Sequence, residues 1–388
     1  MLRKNFGIND YKKCMEILFL LAIAFLTFSY FGGYYLIIST IGKYSKLLER
    51  TAYVICICKV LGTRYRKKEF FLLLGMGLFA IVTYRISGNK SMIYNVLVIT
   101  GLKNVDFNKM LKVSMFSLLF TIVLVGICSV LGYGGPVEIT QMYGREGIET
   151  RYCFGFIHPN QWAHAMFMLL LFCVMAYWDK LDWKKILLLF LGNCVIYKFS
   201  ISKTSFLAGG ILLLLAFLYC YLSTIMRSRI VKVLEIAGIA IVWWIPIVAV
   251  QNWEISWKII ELFNKIFTGR LLIAKKFYGH YKSYIWGVKL ADKHPMTGEE
   301  LDMGYMRFLL ENGWVWYCLL AAATLILVIY SLKKQQEYVV VAIVCILLYA
   351  FSEAISFSQV PANIIFYYIG YFIFRRFQNG QQRIWGCD

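Results

Sequence analysis

The segment MEILFLLAIAFLTFSYFGGYYLIIS, residues 15–39, is the first long apolar run of the chain. A helix needs about 20 apolar residues to cross the hydrocarbon core of a bilayer. The run follows the basic segment MLRKNFGINDYKK at 1–13, and it is too long for the hydrophobic region of a cleaved signal peptide. We therefore expect residues 15–39 to form a membrane-spanning helix.

The composition of the whole chain predicts that this helix has many counterparts. Of the 388 residues, 60% are hydrophobic and 16% are charged, and the mean hydropathy is +0.64. Soluble domains are closer to half apolar and a quarter charged. The chain is therefore predicted to be a polytopic membrane protein, in which residues 1–388 form a single integral membrane domain.

Apolar runs separated by polar links predict about twelve membrane helices and an all-α, polytopic helical bundle. The helices are expected at 15–39, 45–62, 69–87, 90–104, 109–131, 160–178, 184–200, 204–224, 230–250, 305–331, 337–354 and 360–376. The runs at 45–62 and 90–104 are the weakest, because the first carries Arg50 and Lys59 and the second is short.

The distribution of basic residues predicts the orientation of the bundle. The net charge is +20, and short links such as RYRKK (64–68) and RSR (227–229) carry part of it. With an even number of spans, these links share a side with both termini, and the positive-inside rule makes that side cytoplasmic. Two large polar stretches, at 132–159 and 251–304, are then outer loops. Because the basic charge follows this topology, no nucleic-acid partner is expected.

Cysteine and histidine usage predicts neither a disulfide framework nor a metal site. Most of the 11 cysteines lie inside apolar runs without paired loop spacing, and the chain has 4 histidines. His158 and His164 do not have the spacing of two zinc ligands on one helical face. We therefore expect no metal and no cofactor.

The first polar stretch leads into the sequence RYCFGFIHPNQWAHAMF, residues 151–167. His158 precedes a proline and is disfavoured from a helix, so Asn160 is expected to cap the helix that follows. Arg151 beside a helix N-terminus would attract a phosphate group. An ordinary loop-to-helix corner with solvated Arg145 and Arg151 explains the same residues, and the sequence leaves both interpretations open.

The second polar stretch contains both basic and acidic candidate residues. Arg270, Lys275 and Lys276 have roughly helical spacing, which predicts an amphipathic helix on the membrane surface. Its charge would attract anionic lipid or hold a diphosphate. Asp302, which follows two glutamates, is a candidate proton acceptor.

A few charged residues lie near the predicted outer ends of spans, among them Arg85, Lys198 and Glu353, and Lys203 opens the segment SKTSF. Charged residues inside a membrane are functional candidates. Near the end of a span, however, a long side chain that reaches the interface is the simpler explanation.

Four motifs, in this order along the chain, resemble those of bacterial surface-polysaccharide repeat-unit polymerases of the Wzy type, within the O-antigen polymerase and ligase superfamily. They are R-Y-x-F-G-F-x-H-P-N at 151–160, SKTSF at 202–206, GR at 269–270 and L-D-M-x-Y-x-x-x-L-x-x-x-G at 301–313. The first 130 residues are similar to that family as hydrophobic spans alone.

The resemblance implies a GT-C-like bundle in the bacterial cytoplasmic membrane. Enzymes of this family move a growing glycan from undecaprenyl diphosphate to a fresh lipid-linked repeat unit at the outer face, without a nucleotide sugar or a metal. The expected partners are the undecaprenyl-diphosphate-linked oligosaccharide, membrane lipid, a flippase and a chain-length regulator. The product would be a capsule, an exopolysaccharide or an O-antigen.

The resemblance and the chemistry of the reaction assign roles to particular residues. Groups that stabilise the charge of a leaving diphosphate have a large catalytic effect. The residues expected to bind it are Arg151, Arg270, Lys203, Lys275 and Lys276. The first candidate for the base is Asp302 and the second is His158. The residues expected to contact the glycan are Asn160, Tyr305, Tyr281 and Trp162.

Two other functions fit parts of the sequence. O-antigen ligases are similar but usually carry His-Asn where this chain has Asp302-Met303, which favours a polymerase, although Met303 also departs from the polymerase motif. A transporter or flippase would suit twelve spans. Transporters, however, place charges and broken helices near the middle of the membrane, whereas the polar residues here gather at predicted outer ends.

Overall fold

The computed structural model describes residues 8–36, 40–142, 148–251, 258–266, 269–354, 357 and 359–377. Arg145 lies outside these residues. Within them the chain forms fifteen α-helices and one antiparallel β-hairpin.

The elements follow one another in chain order. They are α1 (Ile8–Leu36), α2 (Thr40–Leu61), α3 (Lys67–Ser87), α4 (Ser91–Gly101), α5 (Phe107–Val130), β1 (Glu138–Met142), β2 (Ile148–Tyr152), α6 (Pro159–Ala176), α7 (Trp183–Ser200), α8 (Lys203–Tyr221), α9 (Ser223–Met226), α10 (Arg229–Gln251), α11 (Lys258–Ile266), α12 (Arg270–Tyr281), α13 (Gly304–Lys333), α14 (Glu337–Ala350) and α15 (Ile364–Phe377).

Among the described residues, seven helices are long and apolar enough to cross a membrane, namely α1, α3, α5, α6, α8, α10 and α13. The prediction of a polytopic helical membrane protein is confirmed. Each of the twelve predicted runs also coincides with a helix. The other five of these helices are not among the seven, because α4, α14 and α15 are short and because α2 and α7 carry several charged residues.

Local chemistry explains where several helices begin and end. The carboxylates of Asp106 and Asp182 each accept the N–H of a residue three positions later, at 2.9 Å, and so cap α5 and α7. Helix α3 ends at Ser87 and is followed by Gly88, whose φ of 74° suits a residue without a side chain. These signals are local, which is why the helix boundaries could be predicted within a few residues.

Helix α14 lies at the centre of the bundle. It packs against α6, α8, α13 and α15, and most of its residues are buried. A helix that is apolar on every side is expected in such a position. It ends at Ala350, earlier than the predicted 337–354 span, so Glu353 lies in the link that joins α14 to α15.

Contacts at the helix ends divide the bundle into two faces. At one face, the Tyr11 hydroxyl donates to the carbonyl of Gly62 at 2.8 Å, and the Tyr65 hydroxyl donates to that of Thr100 at 3.0 Å. The opposite face carries the described parts of both polar stretches, together with the link 88–90 and the described residues of the link 351–363, and we call it the loop face. The two polar stretches therefore share one face, as the topology predicted.

The first polar stretch contains a hairpin that the sequence analysis did not predict. Strands β1 and β2 pair with Ile139 opposite Arg151, and the hydroxyls of Thr140 and Thr150 lie 2.8 Å apart. Below the hairpin, Gly155 has a φ of 88°, and a side chain there would come within 2.7 Å of the carbonyl oxygen of Val125. Glycine is therefore required where the hairpin meets α5.

Candidate functional site

A polar cavity of about 890 Å³ opens on the loop face. Both polar stretches contribute to its lining, as do the links 88–90 and 351–363. Its size is at the upper end of the range for small-molecule sites, and it contains several carboxylates and amides. This cavity is the candidate functional site, because it is where residues far apart in the chain bring polar groups together.

His158 enters the cavity at the start of α6. Its backbone is extended, with φ −142° and ψ 140°, and Pro159 is the first residue of the helix. The Nδ1 atom of His158 accepts the backbone N–H of Asn160 at 3.1 Å. His158 is thus the capping residue, and the prediction that Asn160 caps the helix was wrong, because proline suits the first helical position and moves the start forward.

The side chain of Asn160 takes no part in capping the helix and has a different role. Its Nδ2 atom donates to Oε1 of Glu353 at 3.4 Å, and both residues line the cavity. The start of α6, directly after the first polar stretch, is in this way connected to the link between α14 and α15.

Arg270 connects the second polar stretch to the same link. It is the first residue of α12, and its guanidinium donates to the Ser352 carbonyl and, at 3.0 Å, to Oε1 of Glu353. Its Nη2 atom also lies 3.8 Å from Oδ2 of Asp302. Arg270 is therefore surrounded by acceptors from two segments.

Helix α12 does not lie on the membrane surface in the way that was predicted. Its residues Leu271, Ala274 and Phe277 are buried, and it packs against α10 and α13. The apolar face of α12 is directed into the protein, and this packing fixes the position of Arg270 at the cavity.

The surroundings of three ionisable residues at the cavity shift their pKa values towards the neutral forms. Burial raises the pKa of Glu353 to about 7; Arg270 opposes this shift and Asp302 adds to it. Burial also raises the pKa of Asp302, although 48% of its side chain is exposed to the cavity, and Arg270 opposes the shift. Burial lowers the pKa of His158, and the charges of Arg151 and Arg270 lower it further. His158 is accordingly a neutral imidazole near neutral pH.

Three of the predicted residues, Asp302, His158 and Asn160, line the cavity, and Arg270 contacts two of the lining residues. Arg151 is elsewhere: 4% of it is exposed, and its Nε and Nη2 atoms donate to Glu149 at 3.0 and 2.6 Å. To bind a diphosphate, Arg151 would first have to leave this ion pair.

The predicted lysines are also outside the part of the cavity lining that the structure describes. Lys203 is exposed at the start of α8, and Lys275 is partly exposed on α12. Lys276 forms an ion pair with Glu299 at 2.8 Å. Their expected contact with a diphosphate remains a prediction.

The predicted glycan contacts of two aromatic residues do not fit this structure. Tyr305 is 0% exposed and its hydroxyl donates to the Leu347 carbonyl at 2.8 Å, while Trp162 is buried against Phe154. Burial leaves neither ring with a face for a sugar. Tyr281 is partly exposed and accepts the N–H of Ala291 at 3.3 Å, away from the described lining.

The motif at 301–313 has a structural explanation. Asp302 faces the cavity, whereas Met303 is completely buried, so a polar side chain is not needed there. Gly313 interrupts α13 with a φ of 80°, and a side chain on it would collide with the carbonyl of Ile285. The glycine allows the second polar stretch to pack directly against the helix backbone.

The sequence analysis missed the role of Glu353. It was interpreted as a side chain that reaches the membrane interface, but its side chain is 13% exposed and is held by Arg270 and Asn160. The sequence does contain a signal for this role, because Glu353 is the one acidic residue between positions 338 and 387. An isolated carboxylate in an apolar region indicates a functional candidate.

Among the described residues, no three histidine, cysteine, aspartate or glutamate side chains are grouped so as to hold a metal ion. The expectation of a metal-independent protein remains a prediction. Comparison with known protein families, with curated proteins and with solved structures gives no match to this chain. The fold and the cavity define a multi-pass helical membrane protein with a polar site at one face.

Proposed function

We propose that the protein is an oligosaccharide repeat-unit polymerase of the Wzy type, a metal-independent glycosyltransferase. It transfers a growing glycan from undecaprenyl diphosphate to a lipid-linked repeat unit at the outer face of the bacterial cytoplasmic membrane. In this proposal the fold is a GT-C-like bundle of about twelve spans, the loop face is the outer face, and both termini are cytoplasmic.

The observation that carries the proposal is the meeting of the two polar stretches at one cavity. Asp302 and His158 belong to different motifs and lie 144 positions apart in the chain, and both line the cavity. A glycosyl transfer between two lipid-linked glycans needs such a site, because the acceptor hydroxyl and the leaving group must be held together at the membrane surface.

The proposed reaction has one displacement step. A hydroxyl oxygen of the acceptor glycan attacks the anomeric carbon of the donor glycan and forms the new glycosidic bond. The bond from that carbon to the diphosphate breaks, and its electron pair leaves with the lipid diphosphate. The proton of the hydroxyl passes to a carboxylate of the protein, for which Asp302 is the candidate.

The geometry favours Asp302 over His158 as this base. Nδ1 of His158 accepts the Asn160 N–H, so a neutral imidazole carries its proton on Nε2. Nε2 is then a donor and suits a sugar hydroxyl oxygen better than it suits a proton. The Asp302 side chain is 48% exposed, and its raised pKa makes it a stronger base than an ordinary aspartate.

Arg270 is the proposed cation nearest to the leaving group, because it lies 3.8 Å from Asp302. Developing negative charge on a diphosphate would compete with Glu353 and Ser352 for its N–H groups. The proposal also includes four further diphosphate ligands, which would contact a lipid carrier that approaches from beyond the cavity. They are Arg151, Lys203, Lys275 and Lys276.

The test is a gel of lipid-linked glycans from cells with and without the gene. Single repeat units on lipid without a ladder, in the deleted strain, support the polymerase. A ladder that persists on lipid but never reaches its final acceptor would instead indicate a ligase. Repeat units that never reach the outer face would indicate a flippase, and the proposed function would then be wrong.

A further inference from the structure

Glu353 is the point at which three separate segments of the loop face meet. Its Oε1 atom accepts from Asn160, at the start of α6, and from Arg270, at the start of α12, at 3.4 and 3.0 Å. The neighbouring Ser352 carbonyl accepts a second N–H from Arg270. The link after α14 thus holds both polar stretches through one carboxylate and one carbonyl.

This arrangement has an electrostatic reason. The side chains of Arg270 and Glu353 are each 13% exposed, and a charge so far from water is strongly unfavourable without a partner. Asp302, at 3.8 Å, is more distant and more exposed, so it does not replace Glu353 as the partner of Arg270. Removal of Glu353 would free Arg270 to turn towards Asp302 or away from the cavity.

We infer that Glu353 is a positioning residue of the proposed transferase: it holds Arg270 beside Asp302 and fixes Asn160 in the cavity lining. The inference rests on the proposed function. No motif of the sequence includes Glu353, and its role is to act through these partners rather than to take the proton of the acceptor hydroxyl.

The contact of Glu353 with Arg270 also affects the base. A cation that is held elsewhere stabilises the charged form of a carboxyl group less. A variant that frees Arg270 to approach Asp302 therefore lowers the pKa of Asp302. The other charged or titratable groups around Asp302 are Arg270 from α12, Arg307 from α13, Glu300 from its own segment, and His158, Lys289 and Asp292 in the cavity lining.

The experiment compares Glu353→Gln and Glu353→Ala in a polymerisation assay with lipid-linked repeat units and purified full-length protein. Glutamine keeps an acceptor oxygen for Arg270 and Asn160, whereas alanine keeps none. We expect Glu353→Ala to lower the rate roughly 100-fold, as for a misplacement of about 1 Å, and Glu353→Gln to stay within about tenfold of wild type. The acid limb of the pH profile of Glu353→Ala should lie at lower pH than that of wild type, whereas that of Glu353→Gln should stay in place.

Glu337→Gln is the matched control. Glu337 is a buried carboxylate at the other end of α14, where it forms an ion pair with Arg227 at 2.7 Å, far from the cavity lining. This variant should keep wild-type activity and an unmoved acid limb. Size-exclusion profiles in detergent identify any variant that fails to fold.

Two results would overturn the inference. A Glu353→Ala rate equal to that of wild type would show that the contacts have no positioning role. A Glu353→Gln rate as low as that of Asp302→Asn, with the acid limb abolished, would make Glu353 the proton acceptor itself. A wild-type protein without polymerase activity would instead overturn the proposed function.

A second measurement separates the contact from the reaction. Thermal unfolding in detergent is compared for Arg270→Gln, Glu353→Gln and the double variant. If the pair is formed, the double variant loses less stability than the sum of the two single losses. Additive losses would show that the pair is absent, whatever the enzyme catalyses.

Discussion

Asn89 and Glu311 are 222 positions apart in the chain, yet Nδ2 of Asn89 donates to Oε2 of Glu311 at 2.7 Å. The other carboxylate oxygen of Glu311 accepts from Nε of Arg307 at 2.8 Å. Glu311 therefore connects the link after α3 with the first turns of α13 and holds Arg307 at the cavity wall. The shape of this wall depends on one carboxylate.

Replacement of Glu311 by alanine should destabilise the protein. The change removes two hydrogen bonds to a charged group, each of which contributes about 1.5–3 kcal/mol, and it leaves Arg307 without this partner. Unfolding in detergent should show a lower midpoint for Glu311→Ala. The midpoint of Glu311→Gln, which retains an acceptor for Asn89, should lie between those of wild type and Glu311→Ala. An unchanged midpoint in the alanine variant would contradict this account of the wall.

Replacement of Asp302 by asparagine should abolish most activity without loss of the fold. Asparagine has nearly the same shape but cannot accept the proton, and a general base contributes typically about 10²–10⁴-fold. The rate of polymer formation is the measurement. Asp292→Asn is the matched control, since Asp292 lines the same cavity and has been given no part in the reaction. Equal losses in the two variants would remove the special role of Asp302.

Arg151 and Glu149 allow a test of what the first motif does. The sequence predicts that Arg151→Ala leaves the protein folded and inserted but inactive. If Arg151 is a diphosphate ligand, Glu149→Gln should keep activity, because it releases the guanidinium. If the pair mainly secures the hairpin, Glu149→Ala and Arg151→Ala should cause similar losses, and the double variant should lose little more. Polymer length on a gel distinguishes the two outcomes.

The ionisation of Glu353 should make stability depend on pH. Its pKa is about 7 in the folded protein, above the ordinary value of 4.5 expected on unfolding. The folded state therefore binds this proton more tightly, so the contribution is fully present below about pH 4.5 and is lost as the pH rises through about 7. The difference in melting temperature between Glu353→Gln and wild type should grow in favour of the variant over this interval. A constant difference would contradict the raised pKa.

Much of the bundle could be predicted from the sequence because its signals are local. Twelve apolar runs coincide with helices, and caps such as Asp106 mark their ends. Whether a helix faces lipid or other helices is not determined by local sequence signals. Helix α14 has 14 residues and is enclosed by other helices, so its length reflects its neighbours rather than the thickness of a bilayer. Counting apolar runs cannot distinguish such a helix from a lipid-facing span.

The site was predictable in its segments but not in its contacts. Asp302 and His158 could be predicted because each belongs to a motif. The orientation of Tyr305 and Trp162 depends on how α13 and α6 rotate against the core, which no motif records. The partner of Arg151 was within reach of the sequence, since residues two apart on a strand, such as Glu149 and Arg151, share a face.

The buried face of α12 has a consequence for turnover. Leu271, Ala274 and Phe277 would all be exposed to water if α12 swung outward, so α12, which holds Arg270 beside Asp302 and Glu353, does not behave as a lid. Enzymes with lids are often limited by the opening of a loop. If the protein is the proposed polymerase, the slow event should be the exchange of long lipid-linked chains, and the rate should fall with the viscosity of the surrounding membrane.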